Sequence, residues 1–115
     1  MAIERLQAGR MRNRLRFERR SAAINVGGVA TGDWQTLIDS RRASVRATMG
    51  GEEVIAGRMS GKVSVTIRVR SDSQTRTIQA SDRAVDWNTG ETYNLGQPID
   101  PFSDRRELLI QATRA

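Results

Sequence analysis

The sequence predicts an all-β chain: a small antiparallel β-barrel or sandwich of six to seven short strands. A long loop, with room for one short helix, separates the second strand from the central one. Three observations support this. Val63, Val65, Ile67 and Val69 alternate with Ser64, Thr66, Arg68 and Arg70, a period of two with β-branched residues on one face. Several other short stretches alternate in the same way, and glycine- or proline-rich turns punctuate them. At 115 residues there is room for a single domain, 1–115, with one modest core.

Residues 1–12 read as an N-terminal arm; Ile3 and Leu6 have helical spacing, but the stretch is too short for a stable helix alone. Arg14 to Arg20 is the first strand, with Leu15 and Phe17 inward. Ser21 to Asp33, with Gly27-Gly28 and Gly32, is a loop or loose hairpin tip. Trp34 to Thr48 is the second strand. Its half from Ala43 to Ala47 alternates and its first half does not, so a bulge or break is expected near Asp39-Ser40. Trp34 is expected in the core or at its edge.

Met49 to Gly61 is a projecting loop bracketed by glycines. Glu52 and Glu53 would suit the positive end of a short helix, while Val54, Ile55 and Met59 have no core to enter. A long connection of this kind usually carries function. Lys62 to Arg70 is the central strand. After a turn at Asp72 to Gln74, Thr75 to Ala80 is read as a short strand and Arg83 to Trp87 as another, with Val85 and Trp87 sharing a face. Asn88-Thr89-Gly90 is a tight hairpin turn, and Glu91 to Leu95 returns with Tyr93 and Leu95 inward. Pro98 and Pro101 exclude a central strand from Gln97 to Asp104. Arg105 to Thr113 is the last strand, with Leu108, Ile110 and Ala112 on one face and Leu109 on the other.

Hydrophobic residues are 37% of the chain, so the core is thin and neighbouring subunits are expected to supply part of its stability. There is no cysteine and no histidine. This removes disulfides, thiol chemistry and the commonest general base and metal ligand. No serine has a base to activate it, and no glycine loop has phosphate-binding spacing. The adjacent pair Glu52-Glu53 cannot face one substrate. Asp100 and Asp104, which flank Pro101, are expected to be solvated rather than to hold a cation. The chain is therefore read as a non-enzyme with no cofactor and no metal. No apolar run approaches the ~20 residues that span a bilayer, and the basic N-terminus lacks the apolar core of a signal peptide. A cytosolic product with no membrane partner is expected.

The net charge is +6, and Arg5, Arg10, Arg12, Arg14, Arg16, Arg19 and Arg20 crowd the first twenty residues against Glu4 and Glu18. Lys62 is the only lysine. Guanidinium forks suit phosphate or carboxylate, so an arginine surface fits either DNA or an acidic protein face.

Several segments occur in an order familiar from one family. Ala8-Gly9-Arg10-Met11-Arg12 leads into Leu15-Arg16-Phe17-Glu18-Arg19, and the Gly27-Gly28 loop is followed by Trp34. Arg42-Ala43-Ser44-Val45-Arg46 and Gly51-Glu52-Glu53 come next, then Val65 to Arg70, Asp82-Arg83, Tyr93-Asn94-Leu95 and Arg105-Arg106-Glu107-Leu108. In these features the chain resembles the phage head–tail joining family, small connectors also called head-closure or stopper proteins. It departs from that pattern at Val69 and in a less hydrophobic stretch between Arg70 and Asp82.

The resemblance implies a structural protein of the virion or gene-transfer-particle neck, made in the host cytoplasm. It implies a homo-oligomeric ring of six or twelve subunits that extends or closes the portal DNA channel and retains packaged double-stranded DNA. A portal or adaptor ring would lie above, and a tail terminator or tail-tube protein would dock below. On this sequence the projecting loop and the residue beside it supply the DNA-channel candidates Glu52, Glu53, Arg58 and Lys62. The protein-interface candidates are Arg5, Arg10, Arg12, Arg14 and Arg16. The alternative is a monomeric basic β-barrel that binds nucleic acid. Its weakness is that Phe17, Trp34, Trp87, Tyr93 and Phe102 are the only aromatics, and most are needed for the core rather than for base stacking.

Overall fold

The computed structural model describes Gly9 and residues 11–21, 32–47 and 63–114. The expectations for residues 1–8 and Arg10 of the arm, for the 22–31 loop and for the projecting loop with Glu52, Glu53, Arg58 and Lys62 lie outside these residues.

Six strands form a closed antiparallel barrel: β1 (Asn13–Arg20), β2 (Trp34–Ala47), β3 (Val63–Arg70), β4 (Arg83–Asp86), β5 (Thr92–Leu95) and β6 (Glu107–Arg114). Their order around the barrel is β1-β2-β3-β6-β5-β4, and β4 closes back on β1. The barrel alternative of the sequence reading is the one adopted. The strand expected to be central lies between β2 and β6 and pairs along its full length with β6.

The interior follows from the period of two. Leu15, Phe17, Ile67, Val69 and Ile110 are fully buried, and Val65, Tyr93, Leu95, Leu108 and Ala112 fill around them. Leu109 points away from the barrel axis yet is also buried. The proline-containing segment runs beside it, with Ile99 and Leu109 exchanging backbone hydrogen bonds of 2.9 and 2.8 Å.

β2 bulges where its alternation fails. Leu15 pairs with Arg41 and Phe17 with Ile38, so β2 carries one extra residue across Asp39-Ser40. Glu18 then pairs with Thr36, so a second extra residue falls at Leu37. The strand bends but does not break.

One expectation is corrected. Thr75 to Ala80 is not a strand: Thr75–Thr77 is a single 3-10 turn. The Asp72 carboxylate accepts the amides of Gln74 and Thr75 at 2.8 Å each, and the Thr75 hydroxyl donates to the Arg70 carbonyl at 2.8 Å. These side-chain bonds offer the backbone a local alternative to a ladder, and the turn buries Ile78. In β4 the inward residues are Ala84 and Asp86, so the face shared by Val85 and Trp87 is the outer one; Trp87 is 48% exposed.

The hairpin turn is as expected. Gly90 has φ +76°, a conformation glycine adopts without steric cost. The Asp86 carboxylate accepts the amides of Asn88 and Thr89 at 2.7 and 3.1 Å.

Candidate functional site

The apolar interior runs out at the barrel ends, and polar side chains pair there. Arg19 donates to both carboxylate oxygens of Asp82, at 3.0 and 2.9 Å. Those hydrogen bonds raise the Arg19 guanidinium above its ordinary value. Arg41 faces inward opposite Leu15 and donates to Asp72 at 3.2 Å and to Gln74. Burial pushes the Asp72 and Asp86 carboxyls up. Hydrogen bonds outweigh it in both, from Thr75, Gln74 and Arg41 to Asp72 and from Asn13, Asn88 and Thr89 to Asp86, so each ends below the usual range.

The outer surface divides into two unlike faces. On one side, outward arginines stand on three adjacent strands. Arg14 of β1 is paired directly with Arg42 of β2. One register step beyond the Ala43–Val69 pair brings Arg70 of β3 beside Arg42. Arg12 and Arg46 flank this row. Arg12, Arg14, Arg42, Arg46 and Arg70 are all exposed, and among the described residues no carboxylate lies within ion-pair distance of any of them. Like charges directly opposite on a sheet are destabilising by up to about 1 kcal/mol.

Other arginines are taken up internally. Glu18 bridges Arg16 at 3.1 Å and Arg83 at 2.7 Å. Arg83 lies 4.2 Å and Arg20 4.9 Å from the ring centre of Trp34. Trp34 is thus a half-buried surface platform for guanidinium groups, at the edge of the core rather than in it. Arg68 is bound to the buried Glu107 at 2.5 Å.

Toward the Val63 end of β3, and across β6 and β5, the outward rows are neutral. Ser64, Thr113 and Asn94 form one row across the three strands, and Thr66 pairs with Gln111 in the next. A shallow depression of about 500 Å³ lies among Ser64, Asn94, Gly96, Gln111 and Thr113.

At the N-terminal end of the arginine face is a groove of about 280 Å³, lined by Met11, Arg12, Arg14, Arg42 and Trp87 together with Asn13 and Asn88. The Trp87 ring is held in place: its Nε1–H donates to the Asp39 carbonyl at 2.9 Å, and its backbone amide donates to the Arg14 carbonyl at 2.9 Å.

Of the interface candidates, Arg12 and Arg14 therefore share this groove, while Arg16 is occupied by Glu18 and lies 5.5 Å from the Trp87 ring centre. The sequence alone does not mark Arg42, Arg46, Arg70 and Trp87 as interface residues. The alternation of Ala43, Val45 and Ala47 leaves Arg42, Ser44 and Arg46 on the other side of β2, but only the strand register sets Arg42 against Arg14 of β1. Among the described residues no cluster of acidic side chains could hold a metal ion. Asp100 instead braces its own loop, accepting the Arg105 amide at 2.7 Å and the Phe102 amide at 3.3 Å. No helix among the described residues is long and apolar enough to cross a membrane.

The fold has solved counterparts. Protein SF1141 from Shigella flexneri 2a, known from a solution structure, superposes with a TM-score of 0.64 at 23% identity, covering 96% of this chain and 97% of its own. A chain in the virion of the native gene transfer agent particle superposes with a TM-score of 0.62 at 19% identity, covering 89% and 93%. No curated protein matches the sequence. The family model described as phage head completion protein matches residues 6–115. With nearly the whole chain matched and the same barrel present in a virion particle, the protein belongs to the phage head completion protein family.

Proposed function

We propose that the protein is a ring-forming connector at the head–tail interface, built as a structural part rather than an enzyme. The observation that carries this reading is the family match over residues 6–115. In this reading a ring of six or twelve copies sits in the virion neck, below a portal or adaptor ring. It extends or closes the DNA channel, retains packaged DNA and offers a docking surface to a tail terminator or tail-tube protein. The subunit is made in the host cytoplasm and, free in solution, is monomeric or weakly associated, with the neighbouring ring templating assembly. A stable ring of the purified protein at micromolar concentration would overturn that templating step alone.

Within this reading the N-terminal arginines serve protein contacts, and Glu52, Glu53, Arg58 and Lys62 of the projecting loop meet DNA. Contacts in a channel should be sparse and aimed at phosphates, and Glu52 and Glu53 limit the grip. The decisive experiment removes the gene from its phage or gene-transfer particle. DNA-filled heads that leak and fail to join tails are expected, and normal tailed particles would sink the reading. Paired charge reversals then assign the surfaces. Arg12→Glu with Arg16→Glu should lower incorporation of the ring, and Arg58→Glu with Lys62→Glu should spare assembly and change DNA retention.

The five arginines that have no carboxylate partner among the described residues favour a second reading, a monomeric nucleic-acid-binding barrel. Tight, salt-dependent binding of free DNA by the purified subunit would support it. The burial of Phe17 and Tyr93 and the stacking of Trp34 on arginines leave few platforms for base stacking.

A further inference from the structure

We infer that the groove between the start of β1 and the β4–β5 turn docks an acidic segment of a partner protein, one that carries an apolar side chain among its carboxylates. The inference deepens the connector reading and rests on it only in taking that partner to be another component of the neck.

Two independent features of the groove point to this occupant. The first is charge. Arg12, Arg14 and Arg42 line it with no carboxylate in ion-pair distance among the described residues, and Arg14 is set directly against Arg42. Bound carboxylates would relieve that repulsion, and each guanidinium fork can take one bidentately. The second is the apolar wall. Met11 is 8% exposed and forms part of the floor, and the Trp87 ring is 48% exposed yet pinned by its bond to the Asp39 carbonyl. Tryptophan, methionine and arginine are the residues enriched at the centres of protein interfaces, and a ring already fixed in place loses little freedom on binding.

A DNA backbone would use the guanidinium groups but has nothing for Met11 and Trp87 to hold. A single-stranded base could stack on one indole, but that mode relies on successive platforms, and the groove has one.

The test uses the purified full-length chain and three fluorescent probes: a peptide of alternating aspartate and leucine, a polyaspartate peptide of equal charge, and a short DNA duplex. Anisotropy titrations should show the aspartate–leucine peptide binding tightest. Arg14→Gln with Arg42→Gln should weaken both peptides about tenfold or more, as loss of paired charges at an interface does. Trp87→Ala should weaken the aspartate–leucine peptide about tenfold, as loss of a central anchor does, and leave polyaspartate unchanged. Trp87→Phe, which keeps an apolar ring, should restore most of that loss and guards against a folding defect in the alanine variant. The inference falls if the duplex binds tightest, if the two peptides bind equally, or if neither peptide binds. Any of these leaves the gene-removal experiment untouched, so failure here and failure of the connector reading are separable.

Discussion

The two outer faces of the barrel are built on the same inward pattern and differ only in what points away from it. On one, Arg14, Arg42 and Arg70 of β1, β2 and β3 stand in a single row; on the other, Ser64, Thr113 and Asn94 form one row across β3, β6 and β5, with Thr66 and Gln111 in the next. The first face carries a cost within the isolated subunit, because neighbouring strands repel. The second has no such like-charge row: the Thr66 hydroxyl donates to the Gln111 side-chain oxygen across the ladder at 3.3 Å. A surface that is strained alone and relieved by anions is suited to a charged partner, whereas a flat neutral surface suits close packing of protein on protein, where charged side chains are disfavoured.

The largest effect should come from the interior that both faces share. Ile67→Asp would bury an unpaired carboxylate at a fully buried position, and a loss of at least about 4 kcal/mol is expected, enough to prevent folding. Thr66→Asp, one residue away and outward, should stay within about 0.5 kcal/mol. Circular dichroism and solubility decide this; equal folding of the two variants would mean the strand register is wrong.

Next in size is the seam between the faces. Arg68 and Glu107 form a pair with side chains 18% and 3% exposed. Glu107→Ala removes the carboxylate that a largely buried guanidinium binds, and about 3 kcal/mol should be lost in urea denaturation. Arg68→Ala leaves a more deeply buried carboxylate and should cost at least as much.

A smaller and pH-dependent effect is expected at Asp86. Its carboxyl sits below the usual range in the folded chain because hydrogen bonds from Asn13, Asn88 and Thr89 outweigh burial. A depressed carboxyl contributes stability above its unfolded value, near pH 3.9, and loses it as the pH falls through the folded value. Asp86→Ala should therefore be destabilised by about 1–2 kcal/mol at neutral pH. The gap to the unmodified protein should close only below about pH 4, as read from thermal melts across that range.

The smallest effect tests the comparison itself. Arg14→Ser with Arg42→Ser should stabilise the free subunit by up to about 1 kcal/mol. Ser64→Arg with Thr113→Arg, which writes the arginine pattern onto the neutral face, should destabilise it by a similar amount. If both pairs moved the melting temperature in the same direction, cross-strand repulsion would not distinguish the faces.

Much of this architecture is legible in the sequence. β3 declares itself because valine and isoleucine alternate with polar residues without interruption, and Gly90 marks its hairpin because few other residues tolerate its backbone. Thr75 to Thr77 misleads for a local reason: threonines have strand propensity, but the carboxylate of Asp72 captures the turn before a ladder can form. The groove is harder to read. Met11, Arg42 and Trp87 come from three separate parts of the chain, and their meeting depends on which residue pairs with which across β1, β2 and β4. Composition reported an excess of arginine; only register shows which arginines have been neutralised by Glu18, Asp72, Asp82 and Glu107 and which have not.

The two bulges of β2 add up to an even number, and that parity matters. In a strand, one extra residue exchanges inside for outside, and a second exchanges them back. Across Asp39-Ser40 the odd-numbered inward series of Arg41 and Ala43 gives way to the even-numbered Ile38, and at Leu37 the exchange is undone, so Thr36 and Trp34 point outward again. Trp34 and Arg42 therefore lie on the same side of the sheet although the strand bends between them, and the consecutive pair Leu37-Ile38 can lean on one core. A relative with one residue more or fewer in this bend would have to turn one end of the strand inside out. A relative with two more or two fewer could keep both ends as they are. Length variation at this corner should therefore come in steps of two.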